Sequence, residues 1–124
     1  MRIGSCCWEI VLHWSRPPLT LNQRSHWSHR ARISKRIHAE VGWHVRAQRI
    51  PTLDRPTVTL VYTPPDRRRR DVDNLVPTSK ACVDALRAAG VLADDDPAHV
   101  DHRMPVITAP SRPPSLRLVI EAAS

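Results

Sequence analysis

The apolar positions of this chain change period along its length, and each change marks a predicted element. In residues 7–13 the run Cys-Trp-Glu-Ile-Val-Leu-His is rich in β-forming side chains and is stopped by Pro17 and Pro18, which predicts a first strand. From residue 22 to residue 50 proline is missing and Gly42 is the single glycine. Within that stretch Ile33, Ile37, Val41 and Val45 recur every four residues, with Arg32, Lys35, Arg36 and Glu40 between them. One long amphipathic helix, or two shorter ones broken near Gly42, accounts for this spacing. Residues 51–56 connect it to Thr57-Val58-Thr59-Leu60-Val61-Tyr62, where threonine alternates with larger side chains as in a strand.

After Pro64 and Pro65, the residues Leu75, Cys82, Ala85, Leu86 and Ala89 form one helical stripe, with Pro77 tolerated in the first turn and Gly90 at the usual stop position. That predicts a second helix of about three to four turns. Residues 94–97 read as a loop, residues 99–108 as a third strand and residues 116–120 as a fourth. No repeat or heptad run is visible. Residues 1–124 are therefore expected to form a single α+β domain, a small mixed β-sheet packed against a long N-terminal helix and a second helix following the acidic motif Asp71-Val72-Asp73.

Charge adds a partner to this outline. The 124 residues carry 19 Lys plus Arg against 12 Asp plus Glu, a net +7, and only Lys35 and Lys80 are lysines. A guanidinium is planar, weakly hydrated and engages phosphate oxygens in pairs, so nucleic acid is the first partner expected. Between residues 22 and 50 seven Lys/Arg, including Arg24, Arg30 and Lys35, surround Trp27 and Trp43 with Glu40 as the one acid, a face suited to phosphate contact. The three cysteines, Cys6, Cys7 and Cys82, fit neither a disulfide framework nor a CxxC metal site, and they are expected as core thiols in a reducing compartment. His26 and His29 lack a third zinc ligand at a matching interval. With no signal-peptide pattern and nothing near the roughly 20 apolar residues of a membrane span, a cytoplasmic protein without membrane association is expected. Phe is absent and Tyr62 is the one tyrosine, so the core must be thin, and dimerisation would add to it.

Both signs of charge gather at one place: seven of the twelve acids lie between Asp66 and Asp96, beside the consecutive Arg67, Arg68, Arg69 and Arg70. If the segment is extended, Asp71 and Asp73 point to one face and can grip a hard cation such as Mg²⁺, or Mn²⁺, with Asp94, Asp95 or Asp96 as a third ligand. Such a cation activates water and offsets charge developing on a phosphate. In the bland alternative the two acids cap the following helix while the arginines neutralise them on a solvated face. Four adjacent arginines repel one another in a folded monomer, and a phosphate site with a metal at its centre explains both signs. Asn74 is expected to cap the helix and Asp84 to lie exposed on it.

The run from Pro65-Asp66 through Arg67-Arg68-Arg69-Arg70-Asp71-Val72-Asp73-Asn74-Leu75, followed by Val83-Asp84-Ala85-Leu86, Gly90 and an Asp-Asp pair, resembles the RusA family of Holliday-junction resolvases. Pro17-Pro18 followed by Asn22 is a weaker N-terminal part of the likeness. The resemblance implies a homodimeric, Mg²⁺-dependent endodeoxyribonuclease, of a kind encoded by bacteria and phages, that nicks paired strands of four-way DNA in recombination and repair. It makes Asp71 and Asp73 the first two metal-binding acids and places the third after Gly90: Asp95 counting forward from the glycine, Asp96 counting back from Val100. The lysine that the family carries four residues after the second aspartate is Pro77 here, and Lys80, one helical turn on, is the substitute candidate.

Overall fold

The alternating strand pattern is realised as three rows of side chains that cross the sheet. The computed structural model describes residues 7–21 and 26–123. Its elements run β1 (Cys7–Leu12), α1 (Trp27–Gln48), β2 (Thr57–Thr63), a 3-10 turn (Val72–Leu75), α2 (Val76–Ala88), β3 (Asp101–His102), β4 (Val106–Ile107) and β5 (Ser115–Glu121). β5 lies between β1 and β2 and is antiparallel to both, whereas β3 and β4 pair parallel with the other edge of β2. This register aligns Trp8, Ile120 and Val58 in one row, Ile10, Leu118 and Leu60 in the next, and Leu12, Leu116 and Tyr62 in the third, all buried. Residues two apart along a strand share a face, so all three rows meet the helices. The fold is thus one α+β domain, a mixed sheet with two helices.

α1 contributes Ile37, Val41 and Val45 to the core, with Ile33 packed against its margin. The helix passes unbroken through Gly42, which is itself buried; the break considered near that glycine does not occur because the apolar stripe continues past it. It ends at Arg49, which takes the left-handed conformation (φ 53°) usually left to glycine, with the amide of Ile50 returning to Val45 O at 3.0 Å. The expected start near residue 22 lies outside the described residues.

α2 closes at Gly90 as the stop signal predicts: φ is +87°, and the amide of Val91 reaches Leu86 O at 3.0 Å. Its buried face is wider than the apolar stripe, because Thr78 and Ser79 are also fully enclosed. Thr78 Oγ1 donates to Leu19 O (2.7 Å) and accepts from the Leu19 amide (3.1 Å), which fastens the segment after β1 onto α2. Ser79 Oγ meets His102 Nε2 at 2.6 Å and ties α2 to β3.

The expected third strand, residues 99–108, is instead two two-residue pieces, β3 and β4. Pro105 lies between them and has no N–H to give to the ladder. Among the described residues no helix is long and apolar enough to cross a membrane.

Candidate functional site

The acidic motif sits just beyond the end of β2, where the chain turns into α2. Asp71 is extended (φ −92°, ψ 130°), but Asp73 lies inside the 3-10 turn. The two carboxylates therefore do not share a face through strand alternation; the turn sets their relation. The carbonyl of Asp71 accepts from the Asn74 amide at 3.1 Å, which opens that turn. Neither the turn nor α2 has a side-chain cap, so Asn74 does not act as one, and Asp71 stands at a capping position without making the bond. Among the described residues, the side chains of Asp71 and Asp73 have no hydrogen-bond or ion-pair partner.

The arginine run divides. Arg70 Nη1 donates to Asp66 O (3.0 Å) and Arg68 O (2.9 Å), and its Nη2 meets Asp66 Oδ1 at 2.8 Å. Its side chain is mostly buried and its guanidinium lies 5.9 Å from the Tyr62 ring centre. Arg70, expected from the sequence as a DNA contact, makes three hydrogen bonds within its own loop and also lines a cleft with Asp71. The Arg68 amide and the Arg70 side chain hold the Asp66 carboxyl below the usual carboxylate range. Arg67, Arg68 and Arg69 remain exposed.

Arg68, Arg69 and Arg70 line this cleft, of about 420 Å³, together with Asp71, Asn74, Tyr62 and Arg16. Arg16 was not among the residues that the sequence singled out. Its signal was weak, a lone arginine before two prolines; it shares the cleft with Asp71 once the bonds between Leu19 and Thr78 hold the following segment on α2. The chain matches no protein-family model and no curated protein.

The acidic loop after α2 lies elsewhere. Asp96 Oδ1 bonds His99 Nδ1 (2.6 Å) and the Ala98 amide (3.0 Å), and the carboxylate holds the His99 imidazole above its ordinary pKa. Asp94 accepts from the Asp95 amide at 2.8 Å, and that bond lowers its pKa. Asp95 lines a second cavity, of about 560 Å³, with Arg30, Lys80 and Asp84. Lys80 is exposed and also borders a third cavity beside Ser79 and His102, but not the cleft of Asp71. Among the described residues, no three His, Cys, Asp or Glu side chains are grouped to hold one cation.

Of the remaining candidates, Lys35 is exposed on α1 and Arg24 lies outside the described residues, as does Cys6. Asp84, expected on the open surface, is half-buried and joins the helices, meeting His38 Nε2 and Arg87 Nη2 each at 3.1 Å. Cys82 is fully buried, and burial pushes its thiol up to about 12, so it is a core thiol.

The donor chemistry around Asp71 suits a hard cation. Mg²⁺ commonly takes only one or two protein carboxylates and fills its shell with phosphate oxygens and water. Asp71 and Asp73 offer two such carboxylates, without a competing cation bonded to either among the described residues, next to arginines that can hold the phosphates.

Proposed function

We propose that this chain is a metal-dependent endodeoxyribonuclease acting on branched DNA, of the Holliday-junction-resolving kind that its acidic motif resembles. The observation that carries the reading is that Asp71 and Asp73 bond to neither the helix start nor the arginines beside them. Both carboxylates are exposed, so they stay available for a ligand.

In this reading Asp71 and Asp73 hold a divalent cation whose shell phosphate oxygens and water complete, while Asp95 and Asp96, which the resemblance offers as the third acid, face other partners. A cation held there would supply Lewis acidity and would lower the pKa of water for phosphodiester hydrolysis. Arg68, Arg69 and Arg16 bind the flanking phosphates and set the strand's position in the cleft. Arg30 and Lys35 extend the positive surface along α1. Two symmetric nicks need two such sites related by a two-fold axis, so the working form is a homodimer.

A second reading, a branched-DNA-binding protein without catalysis, is favoured by Pro77 standing where the resemblance calls for lysine, and by Lys80 lining two other cavities. One experiment separates the two: incubation of synthetic four-way, three-way and linear DNA with the protein, with and without Mg²⁺ or Mn²⁺. The nuclease reading expects metal-dependent nicks in the four-way substrate. It also expects Asp71→Asn and Asp73→Asn to abolish them while junction binding is kept or tightened, since each removes a ligand and also a charge that repels phosphate. Binding without nicks under both metals leaves the non-catalytic reading, and full activity of either variant refutes the metal site.

A further inference from the structure

The cleft of Asp71 does not end at Arg16. On the far side of Arg16, Pro17 and Thr20, which border both spaces, lies a further cavity of about 460 Å³ lined also by Trp14, Pro18 and Ile33. Its size falls in the range of about 300–1,000 Å³ typical of small-ligand sites. We propose that this cavity is a subsite for an unpaired nucleobase of the DNA strand whose phosphates lie on Arg16, Arg68 and Arg69. The proposal rests on the reading of the Asp71 cleft as a DNA site.

Three observations select this occupant. The lining combines one large aromatic ring with proline and isoleucine, and it contains no acid. Its one lining cation is Arg16, and outside the lining the Arg36 guanidinium lies 5.9 Å from the Trp14 ring centre. Apolar walls suit the flat face of a base, which every base offers for stacking, and the flanking arginines suit the phosphates attached to it. A purely apolar ligand leaves the arginines without a role, and a bare phosphate leaves the ring without one. Bases inside a duplex are already stacked, so only an unpaired base, as at a branch point or a melted end, can present its face.

The platform is also held in place before any ligand arrives. Directly before Trp14, the His13 amide donates to Glu40 Oε1 (2.6 Å) and its imidazole meets Glu40 Oε2 (2.5 Å), which braces the end of β1 against α1. The His13 and Trp14 rings lie 4.2 Å apart. Five residues later, the paired bonds of Leu19 with Thr78 fix the other end of the segment on α2. A ring fixed at both ends loses little freedom when a base stacks on it.

The test uses the full chain without divalent metal, and DNA carrying 2-aminopurine either in a single strand or opposite thymine in a duplex. The wild-type protein is expected to quench the unpaired fluorophore and leave the paired one unchanged. Trp14→Ala is expected to remove the quenching and weaken single-strand binding about tenfold, within the range for loss of one stacked base. Duplex binding should be unaltered, and Trp14→Phe should keep most of both signals. No quenching by the wild type overturns the subsite, as does an equal loss of single-strand and duplex binding in Trp14→Ala. If Trp14→Ala proves unfolded by thermal melt, the wild-type quenching and the Trp14→Phe variant decide. Failure to bind any DNA removes the parent reading too, whereas DNA binding that depends on Arg68 and Arg69 but not on Trp14 removes the subsite alone.

Discussion

Replacing Arg70 with alanine is expected to destabilise the protein without removing a phosphate contact, the reverse of what its place in a four-arginine run implies. Its guanidinium bonds two carbonyls of its own loop, Asp66 O at 3.0 Å and Arg68 O at 2.9 Å, and covers Tyr62. A hydrogen bond made by a charged group contributes about 1.5–3 kcal/mol when fully enclosed. These carbonyls stand in an exposed loop where water replaces much of the loss, so about 1–2 kcal/mol in total is the expectation for Arg70→Ala. For a chain between the small and middle size classes, about 4 °C accompanies each kcal/mol, and the melting temperature should fall by about 4–8 °C. DNA binding supplies the contrast. Each phosphate contact contributes about 0.9 to the slope of log affinity against log salt on duplex DNA. Arg68→Ala and Arg69→Ala should each reduce that slope by about one with little change in melting temperature. Arg70→Ala should leave the slope intact, with a modest uniform loss of affinity from the loosened loop. Thermal melts and fluorescence-anisotropy titrations across a salt series measure both quantities. A reduced slope for Arg70→Ala with an unchanged melting temperature refutes the division of labour drawn here.

Other consequences reach further from the cleft. Burial, and then the charge of Lys80, hold the His102 imidazole below its ordinary pKa while it bonds Ser79. The unfolded chain therefore binds the proton more readily, and this stabilisation is present above about pH 6.5 and lost as pH falls toward the lowered folded value. Between pH 7.5 and pH 5.5 the wild type should lose more melting temperature than His102→Gln, and an equal loss in both contradicts the assignment. Cys82, fully enclosed with its thiol pushed up to about 12, should resist iodoacetamide in the native protein and label only on unfolding, as peptide mass mapping will report. Leu118, fully buried between Ile10 and Leu60, should cost about 2–5 kcal/mol when cut to alanine, read as a lower urea midpoint. Leu21→Ala, at a 59% exposed position, should stay within about 0.5 kcal/mol of the wild type.

Much of the architecture could be read from the chain alone, because local rules act over a few residues. The four-residue spacing from Ile33 to Val45 specified one face of α1, richness in β-formers specified β1, alternation specified β2, and Gly90 specified the end of α2. Where long-range pairing decides, local rules failed. Residues 99–108 look like one strand, but each half pairs with β2 on its own, separated at a proline that cannot join the ladder. Asp71 and Asp73 were legible as a pair, yet their geometry depends on a 3-10 turn that the alternation rule does not contain. The arginine run was legible as charge, but charge alone does not say which guanidinium its own backbone consumes; the fold of the 66–70 loop singles out Arg70. Arg16 carried only a weak signal, and Trp14 was not singled out. They lie some fifty residues before the acids in sequence and come beside the cleft because the buried hydroxyl of Thr78 captures Leu19, a contact that exists only once α2 has packed on the sheet. The amino-acid sequence by itself determined both helices, the three long strands and the inventory of charged groups, since propensity and periodicity are properties of neighbours along the chain. The tertiary structure alone decided which of those groups share a cavity, since that depends on the packing of segments far apart in the chain.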